Sequence, residues 1–208
     1  MDIKPYNIDP ETTFPLPLYE SIPLAEVTAN GDSFAIVAGL DKHMAEQVKQ
    51  HSLDENDADL QEHTSDRKRF GEGSYEEWYS KKRTPFALIH EETDAVTAIC
   101  WFGPKPLGRK SLRYLTDEEA KEEKNLSEGT WHTISYRCYN PYRGKGLMND
   151  FVRFCINTYT RKFPGVGIWA IINVDNPASK RLAEKLGFKM DPGSSHPDEN
   201  LVVMVLNK

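Results

Sequence analysis

The helical spacing of apolar residues between positions 147 and 158 is the clearest pattern in the chain. Apolar side chains recur there at intervals of 4, 3, 1 and 3 residues, which is the period of a helix with one buried face. Residues 166–173 instead form an almost unbroken apolar run, typical of a strand buried on both sides. A second helix is predicted from Asn176, an N-cap followed by proline at N1, to Gly187.

Shorter patterns predict the remaining elements. Asp41 and Ser74 are placed to cap two further helices, and Glu77 stands at the capping-box distance from Ser74. Residues 117–124 suit a surface helix within the long polar connection 103–128. Apolar runs predict six further strands, two of which form a hairpin: 33–38, 85–90, 95–101, 131–139, 188–190 and 201–206.

The predicted order, β-α-α-β-β-β-α-β-α-β-β, describes one mixed α/β domain. Residues 1–32 are rich in proline and lack clear periodicity, so we expect an extended N-terminal arm or an irregular edge followed by a single domain, 33–208. Residues 52–69 are acidic first and basic later. They are expected to be a solvated loop with some helix rather than a binding surface.

Composition narrows the classes of function. The 208-residue chain has a net charge of −6, which gives no reason to expect a nucleic-acid partner, since such proteins carry a basic surface. No run reaches the roughly 20 apolar residues of a membrane span, so no membrane association is expected. The three cysteines lie apart in apolar runs, as free buried thiols do. This favours a reducing compartment and a cytoplasmic protein, and no metal is expected.

A basic loop with two glycines, residues 142–147, lies between a predicted strand and the helix that follows. Gly144 and Gly146 remove side chains where a backbone approaches a ligand closely or adopts positive φ. The helix start adds unpaired N–H groups and the positive end of its dipole, and Arg143 and Lys145 add charge at the rim. This arrangement favours a diphosphate site. The alternative is a basic turn whose glycines serve tightness alone.

A second segment, residues 176–188, changes this picture. Together with the loop, it resembles the two signature segments of the GNAT superfamily of acyl-CoA-dependent N-acyltransferases. The first family segment runs [RQ]-x-x-G-x-[GA] and is matched at Arg143 and Gly146, with Met148 in the final small position. The second runs N-x-x-[AS]-x-x-L-x-x-x-x-G-F and is matched at Asn176, Ser179, Leu182, Gly187 and Phe188.

The serine form of the second segment resembles the branch that includes ribosomal-protein N-terminal acetyltransferases. The close match covers about residues 130–190. It implies a mixed α/β fold with a mostly antiparallel central sheet, splayed at the cofactor site and flanked by helices. The long side chain of Met148 either crowds the diphosphate or turns into the core, and we expect it in the core.

The resemblance also implies acetyl-CoA as co-substrate. In the family, pantetheine enters the gap between the strand before the loop and the strand after the helix. Carried over, Asn176 would contact the pantetheine arm, or it is simply an N-cap. Backbone groups would bind pantetheine at Arg137, Cys138 and Tyr139, and the diphosphate at Arg143, Gly144, Lys145, Gly146, Leu147 and Met148.

The chemistry needs a partner for the departing thiolate and an acceptor for the amine proton. Many family members place a tyrosine for the first role where this chain has Ala183, so Ser179 is the candidate, with a capping role as the alternative. The strand before the loop has no carboxylate. The candidates for the second role are therefore His132 and Tyr136, which share a face of that strand, and Asn173, which could orient a water. A structural histidine and a water relay to bulk are the alternatives.

The expected function is an N-acetyltransferase that moves an acetyl group from acetyl-CoA to a primary amine in a ternary complex. The amine belongs to a small molecule or a protein N-terminus. A non-catalytic acyl-CoA-binding or regulatory module is the alternative, because the family tyrosine and the strand carboxylate are missing. The acidic stretches 54–62 and 117–128 could steer a cationic amine or be solvated surface. The sequence does not distinguish a monomer from a homodimer.

Overall fold

The structure, a computed structural model, describes residues 1–111, 114–116, 118 and 129–206. The helix predicted at 117–124 falls, apart from residue 118, outside these ranges. The strands are β1 Asp2–Pro5, β2 Ile22–Ala29, β3 Asp32–Ala38, β4 Thr84–His90, β5 Ala95–Pro104, β6 Trp131–Cys138, β7 Gly167–Asn173, β8 Phe188–Met190 and β9 Leu201–Leu206. The helices are α1 Lys42–Leu53, α2 Ala58–His63, α3 Tyr75–Ser80, α4 Met148–Lys162 and α5 Pro177–Lys185, with a π-helical turn at Arg67–Gly71.

The described strands form one nine-stranded sheet in the order β1-β2-β3-β4-β5-β6-β7-β9-β8. Neighbouring strands are antiparallel except β6 and β7, which are parallel. The predicted hairpin is confirmed as β4 and β5. The mixed α/β class and the mostly antiparallel sheet expected from the resemblance are therefore confirmed.

Of the two expectations for residues 1–32, the structure shows an edge of the sheet rather than an extended arm. These residues contribute β1 and β2 to the sheet, and β2 pairs with β3 along its whole length. Leu24, Ala25 and Val27 of β2 are buried in the main core. The strand was not predicted because the segment contains prolines and lacks a regular alternation. The alternation of buried and exposed residues is broken by a register shift between Pro23 and Ala25.

Helices cover both faces of the sheet. Along β5, Ala98, Cys100 and Phe102 belong to the core beneath α4 and α5, whereas Ile99 and Trp101 belong to the core beneath α1 and α3. Successive side chains of a strand point to opposite faces. A central strand covered on both sides is therefore apolar at nearly every position, as the sequence of β5 is.

The segment 52–69, expected to be a solvated loop with some helix, contains the helix but is partly buried. It forms α2 and the π-helical turn, which bury Leu60 and Phe70. Asp57 and Asp66 are only 6% and 1% exposed, and each pairs with an arginine from β6 or the following loop. The charge pattern does not predict this burial, because Arg137 and Arg143 lie more than 70 residues from these carboxylates in sequence.

The parallel pair β6 and β7 opens part-way along its length. The strands are paired at Trp131–Gly167, His132–Ile168 and Thr133–Trp169, and no pairing continues beyond these positions within the described chain. Residues 134–138 and 170–173 therefore diverge, and they leave a cleft in the middle of the sheet. The loop before α4 and the start of α5 lie at this opening.

Candidate active site

The cleft between the diverging ends of β6 and β7 has a volume of about 650 Å³. The cleft is lined by the two strand ends and the first residues of α5, and by α2 and the residues that follow it. Residues of the loop 142–149 other than Lys145 line it too. This size is within the range of small-molecule sites.

The glycine loop, residues 142–147, has the positive φ angles that its two glycines predict. Gly144 and Gly146 have φ angles of 80° and 77°, and both line the cleft. A β-carbon added at either position would meet no atom within 4 Å, so these glycines are required by backbone conformation rather than by close packing. Directly after them α4 begins at Met148, and the N–H groups of its first turn have no partner within the helix.

The loop side chains are placed differently from one another. Arg143, Leu147 and Met148 line the cleft, and Met148, which was expected in the core, is packed against the main core as well. Lys145 is not among the cleft-lining residues, and its ammonium lies over the ring of Tyr142, 4.9 Å from the centroid. Its carbonyl accepts a hydrogen bond of 3.0 Å from the Asn30 amide.

The Arg143 guanidinium faces α2 and is paired there. Nη1 and Nη2 donate to the two carboxylate oxygens of Asp57, at 2.8 and 2.7 Å. Nε and Nη2 also donate to the Cys138 carbonyl, at 3.2 and 3.1 Å. The positive charge predicted at the rim is therefore compensated by Asp57. The basic residues Arg181 and Lys185 of α5 also line the cleft and were missed by the sequence analysis.

Two of the three strand-end residues predicted to bind pantetheine line the cleft. These are Arg137 and Cys138. Burial raises the pKa of the Cys138 thiol to about 11, against the lowering influence of Arg143. Tyr139 is instead buried, with its ring stacked 3.9 Å from that of His51, and it is not among the cleft-lining residues.

The Arg137 guanidinium is held by a buried acid. Nε and Nη2 donate to Asp66 at 2.6 and 3.1 Å, and the group lies 5.0 Å from the Trp101 ring. Arg69 donates to the same carboxylate. Burial works to raise the pKa of Asp66, but the charges of the two arginines outweigh it and lower that pKa. The β6 wall is therefore fixed to the segment after α2.

Tyr136 of β6 and Ser179 of α5 are in direct contact at the cleft. The Tyr136 hydroxyl lies 3.1 Å from both the carbonyl and the hydroxyl oxygens of Ser179. Burial raises the pKa of Tyr136 to about 12, so the phenol keeps its proton at neutral pH. The Ser179 N–H donates to the Asn176 side chain at 2.9 Å, which confirms Asn176 as the N-cap of α5.

Asn173, at the end of β7, also lines the cleft. Its amide nitrogen donates to the Tyr114 hydroxyl at 3.2 Å, and its carbonyl oxygen accepts from the Asp175 N–H at 2.8 Å. Tyr114 lines the cleft too. It was missed because it lies in the long polar connection, whose sequence carries no periodicity that would place it.

His132 lies away from the cleft, contrary to the expectation that it could act there as a base. It is 7% exposed and packed between Tyr159 and Phe163 of the α4 side, and it is not among the cleft-lining residues. Its Nδ1 lies 2.5 Å from the Tyr159 hydroxyl. Burial, with a contribution from Arg83, lowers the pKa of His132 to about 4. The imidazole is therefore neutral and structural.

Of the six histidines, all of which the structure describes, His63 of α2 is the one that lines the cleft. Its side chain is 16% exposed, and its Nε2 lies 3.7 Å from an Asp59 carboxylate oxygen one helical turn earlier. The position of His63 at the cleft could not be predicted from the sequence, because only the packing of α2 against the loop brings it there. Within the described residues, no cluster of three or more histidine, cysteine or acidic side chains could hold a metal ion.

Comparison with protein families decides the identity of the domain. Residues 45–189 match the family model described as "Acetyltransferase (GNAT) domain". The chain belongs to the GNAT acetyltransferase family. No curated protein sequence matches it significantly. Among the described residues of this GNAT domain, no helix has the length and apolar character of a membrane span.

Several solved structures share the fold. The GNAT domain of S. lividans PAT is 11% identical with a TM-score of 0.54, covering 87% of this chain and 94% of its own. Aminoglycoside acetyltransferase AAC(6')-Ib, solved with coenzyme A and kanamycin, is 16% identical with a TM-score of 0.56, covering 83% and 95%. A spermidine N-acetyltransferase chimera from Vibrio cholerae and hSSAT is 11% identical with a TM-score of 0.53, covering 83% and 92%. At these identities the similarity establishes the fold.

Proposed function

We propose that this GNAT domain is an acetyl-CoA-dependent N-acetyltransferase that acts on a primary amine of a small molecule or a protein N-terminus. The observation that carries the proposal is the shared cleft. The glycine loop, the start of α4 and the Tyr136–Ser179 pair all line it. A diphosphate site and two hydroxyl groups in one cleft suit a thioester whose sulfur must be stabilised as it departs.

The donor fits the cleft through backbone groups. Residues 134–138 of β6 have no β7 partner, so the strand edge that faces the cleft can pair with the amides of pantetheine, as an added strand would. The open space at the two loop glycines and the first N–H groups of α4 suit the diphosphate. In AAC(6')-Ib, coenzyme A is present in the solved complex with kanamycin, which supports the same use of this fold here.

The transfer itself requires one bond to form and one to break. The amine nitrogen attacks the thioester carbonyl, the carbon–sulfur bond breaks, and the sulfur leaves as a thiolate. Ser179 is proposed to donate its hydroxyl hydrogen bond to that sulfur. Tyr136, protonated because burial raises its pKa to about 12, holds the serine oxygen in place. The amine proton leaves to His63 or through water to bulk, and the pH–rate profile of His63→Gln distinguishes these routes.

The acceptor is proposed to enter from the wall formed by α2, the residues after it, and Tyr114. This wall carries acidic, basic and hydroxyl side chains, which suits a polar amine. The fold neighbours are described as aminoglycoside and spermidine acetyltransferases, so neighbours of one fold differ in acceptor, and fold alone does not choose this one.

Binding of the donor is the first test. Acetyl-CoA should raise the melting temperature of the protein, because a ligand that binds the native state stabilises it. ATP and NAD serve as controls and should shift it less. A panel of amines, with release of the coenzyme A thiol as the readout, then identifies the acceptor class. No shift with acetyl-CoA or longer acyl-CoA would overturn the proposal.

The Ser179 role has its own prediction. Ser179→Ala should lower kcat by about tenfold to a hundredfold with little change in acetyl-CoA affinity, because the lost hydrogen bond is made mainly to the developing thiolate. Tyr136→Phe should lower kcat less, since it removes only the group that holds the serine. Both constants are measured with the best amine of the panel. Unchanged kcat in Ser179→Ala would contradict the assignment.

A non-catalytic acyl-CoA-binding module is the second candidate, and Ala183 is the observation that favours it. Many family members have a tyrosine at this position, whereas Ala183 is fully buried here. The module hypothesis predicts that acetyl-CoA binds but that no amine in the panel releases the thiol. The two candidates are therefore separated by the second half of the same experiment.

A further inference from the structure

The carboxylate of Asp57 connects two parts of the cleft that the family motifs do not connect. Asp57 caps α2 by accepting from the Leu60 N–H at 3.1 Å, and residues of α2 line the cleft. The same carboxylate makes a two-pronged pair with Arg143, which is 86 residues away and belongs to the glycine loop. The carboxylate is thus shared between the acceptor wall and the proposed diphosphate site.

The arginine extends this connection to the end of β6. Arg143 donates two hydrogen bonds to the Cys138 carbonyl, which lies on the strand proposed to pair with pantetheine. One guanidinium therefore joins the start of α2, the end of β6 and the loop that carries Gly144. Because a guanidinium presents its donors in a rigid plane, these bonds fix the orientation of the loop as well as its position.

The burial of Asp57 makes this pair different from a surface ion pair. Asp57 is 6% exposed, whereas the neighbouring Asp59, whose oxygen is 3.4 Å from Arg143, is 63% exposed. Burial works to raise the pKa of Asp57, but its hydrogen bonds from Arg143 and Leu60 lower it overall. Asp57 is thus an ionised acceptor held in one geometry, while an exposed pair such as that of Asp59 contributes little.

We propose that Asp57 is a positioning residue of the acyl-CoA site, which holds the glycine loop through Arg143 so that the loop amides face the diphosphate. The inference rests on the proposed function, since it concerns the donor of that reaction. It assigns Arg143 a role different from direct charge attraction. The arginine side chain is already committed to Asp57 and Cys138, so its contribution to the donor comes through the backbone that it fixes.

Removing Asp57 could also have the opposite effect on donor binding, and the test is designed to distinguish the two effects. Removing the Asp57 charge leaves the Arg143 charge uncompensated beside a site for a diphosphate, and attraction alone would then tighten binding. If positioning dominates, binding weakens instead. The sign of the change in coenzyme A affinity therefore distinguishes the two effects. Weaker binding indicates that Asp57 positions the loop, and tighter binding indicates that Asp57 only compensates the charge of Arg143.

The experiment measures the dissociation constant of coenzyme A by titration calorimetry for the wild type, Asp57→Asn and Asp59→Asn. Asparagine is as good an N-cap as aspartate, so the start of α2 is kept, and equal melting temperatures verify this. We expect about tenfold weaker binding for Asp57→Asn, because the charge-assisted two-pronged pair is lost. For Asp59→Asn, the matched control, the change should stay within about twofold.

A second ligand separates loop positioning from a general loss of structure. S-acetylpantetheine carries the thioester and the pantetheine amides but lacks the diphosphate. Asp57→Asn should bind this ligand, measured by competition or direct titration at high concentration, with the wild-type constant. Equal weakening for both ligands would overturn the proposal, as would unchanged or tighter coenzyme A binding in Asp57→Asn.

The arginine provides a second variant should Asp57→Asn fold poorly. Arg143→Lys keeps the charge but cannot make the two-pronged pair and the carbonyl bonds together. It should weaken coenzyme A binding as Asp57→Asn does, and the double variant should lose no more than either single one. Additive losses would overturn the pairing. If the wild type fails to bind coenzyme A, the proposed function fails and this inference with it, whereas normal wild-type binding with an unaffected Asp57→Asn removes this inference alone.

Discussion

Among single residues, the two histidines of interest show how burial decides chemistry. His132 and His63 have the same side chain, but His132 is enclosed by Tyr159 and Phe163 while His63 faces the cleft. A buried imidazole loses the hydration that stabilises its charged form, and the pKa of His132 accordingly falls to about 4. Sequence position suggested His132 for proton transfer, whereas its surroundings make it a hydrogen-bond partner of Tyr159.

The lowered pKa of His132 predicts an acid-sensitive fold. Its folded value of about 4 lies below the ordinary value of 6.5, so the unfolded chain takes up the proton first, and stability falls as the pH drops from 6.5 towards 4. The loss attributable to His132 should approach about 3 kcal/mol at the low end. Denaturant unfolding of the wild type and His132→Asn between pH 7 and 4.5 measures it. The variant should show the smaller pH slope, and equal slopes would contradict the prediction.

Among elements, the central relationship is that of β6, β7 and the helices after them. Both strands were predicted from their apolar sequences, and the helices after them begin where predicted. The cleft exists because the strands stop pairing after Thr133 and Trp169. The start of α5 then brings Ser179 to Tyr136 on the other strand. The order of the elements could be predicted, but the separation that creates the site depends on how the strands are packed.

The N-cap of α5 allows capping to be separated from ligand contact. Asn176→Ala should cost about 1 kcal/mol of unfolding free energy, because the Ser179 N–H loses its acceptor, whereas Asn176→Ser retains a good cap. Both should bind coenzyme A several-fold more weakly if the Asn176 amide contacts the pantetheine arm. Thermal unfolding and calorimetric titration measure the two effects. Wild-type affinity in Asn176→Ser would show that Asn176 is a cap only.

Across the whole molecule, the sheet extends well beyond the part that the family motifs cover. β1 and β2 form one edge of the sheet, and residues of β2 share a core with α4 and α5. The segment that includes α2 covers the other face near the cleft and supplies the acids that hold Arg137 and Arg143. The site therefore depends on segments distant from the signature motifs.

The burial of β2 predicts a large cost for a change far from the cleft. Leu24 has 0% exposure, so Leu24→Ala should lower the free energy of unfolding by about 2–4 kcal/mol, through lost burial and the cavity left behind. Thr28→Ala, at an exposed position of the same strand, is the matched control and should change it by no more than about 0.5 kcal/mol. A small effect at Leu24 would indicate a peripheral arm instead.

Features that depend on near neighbours in the chain could be predicted from the sequence. Caps at Asp41, Ser74 and Asn176, the helical period of α4 and the positive φ of the loop glycines all arise within a few residues of each other. The family signature belongs to this class too, because each of its two segments is short. Local hydrogen bonding and side-chain period are written directly into the chain.

Contacts between side chains distant in sequence depend instead on how the whole chain is packed. The carboxylates of Asp57 and Asp66 belong to a segment that looks solvated in sequence, yet they are buried against arginines far along the chain. Tertiary packing also buries His132 away from the cleft and places His63 at the cleft surface. Burial, ion pairing and pKa depend on the whole set of surrounding atoms, and no short window of sequence contains that set.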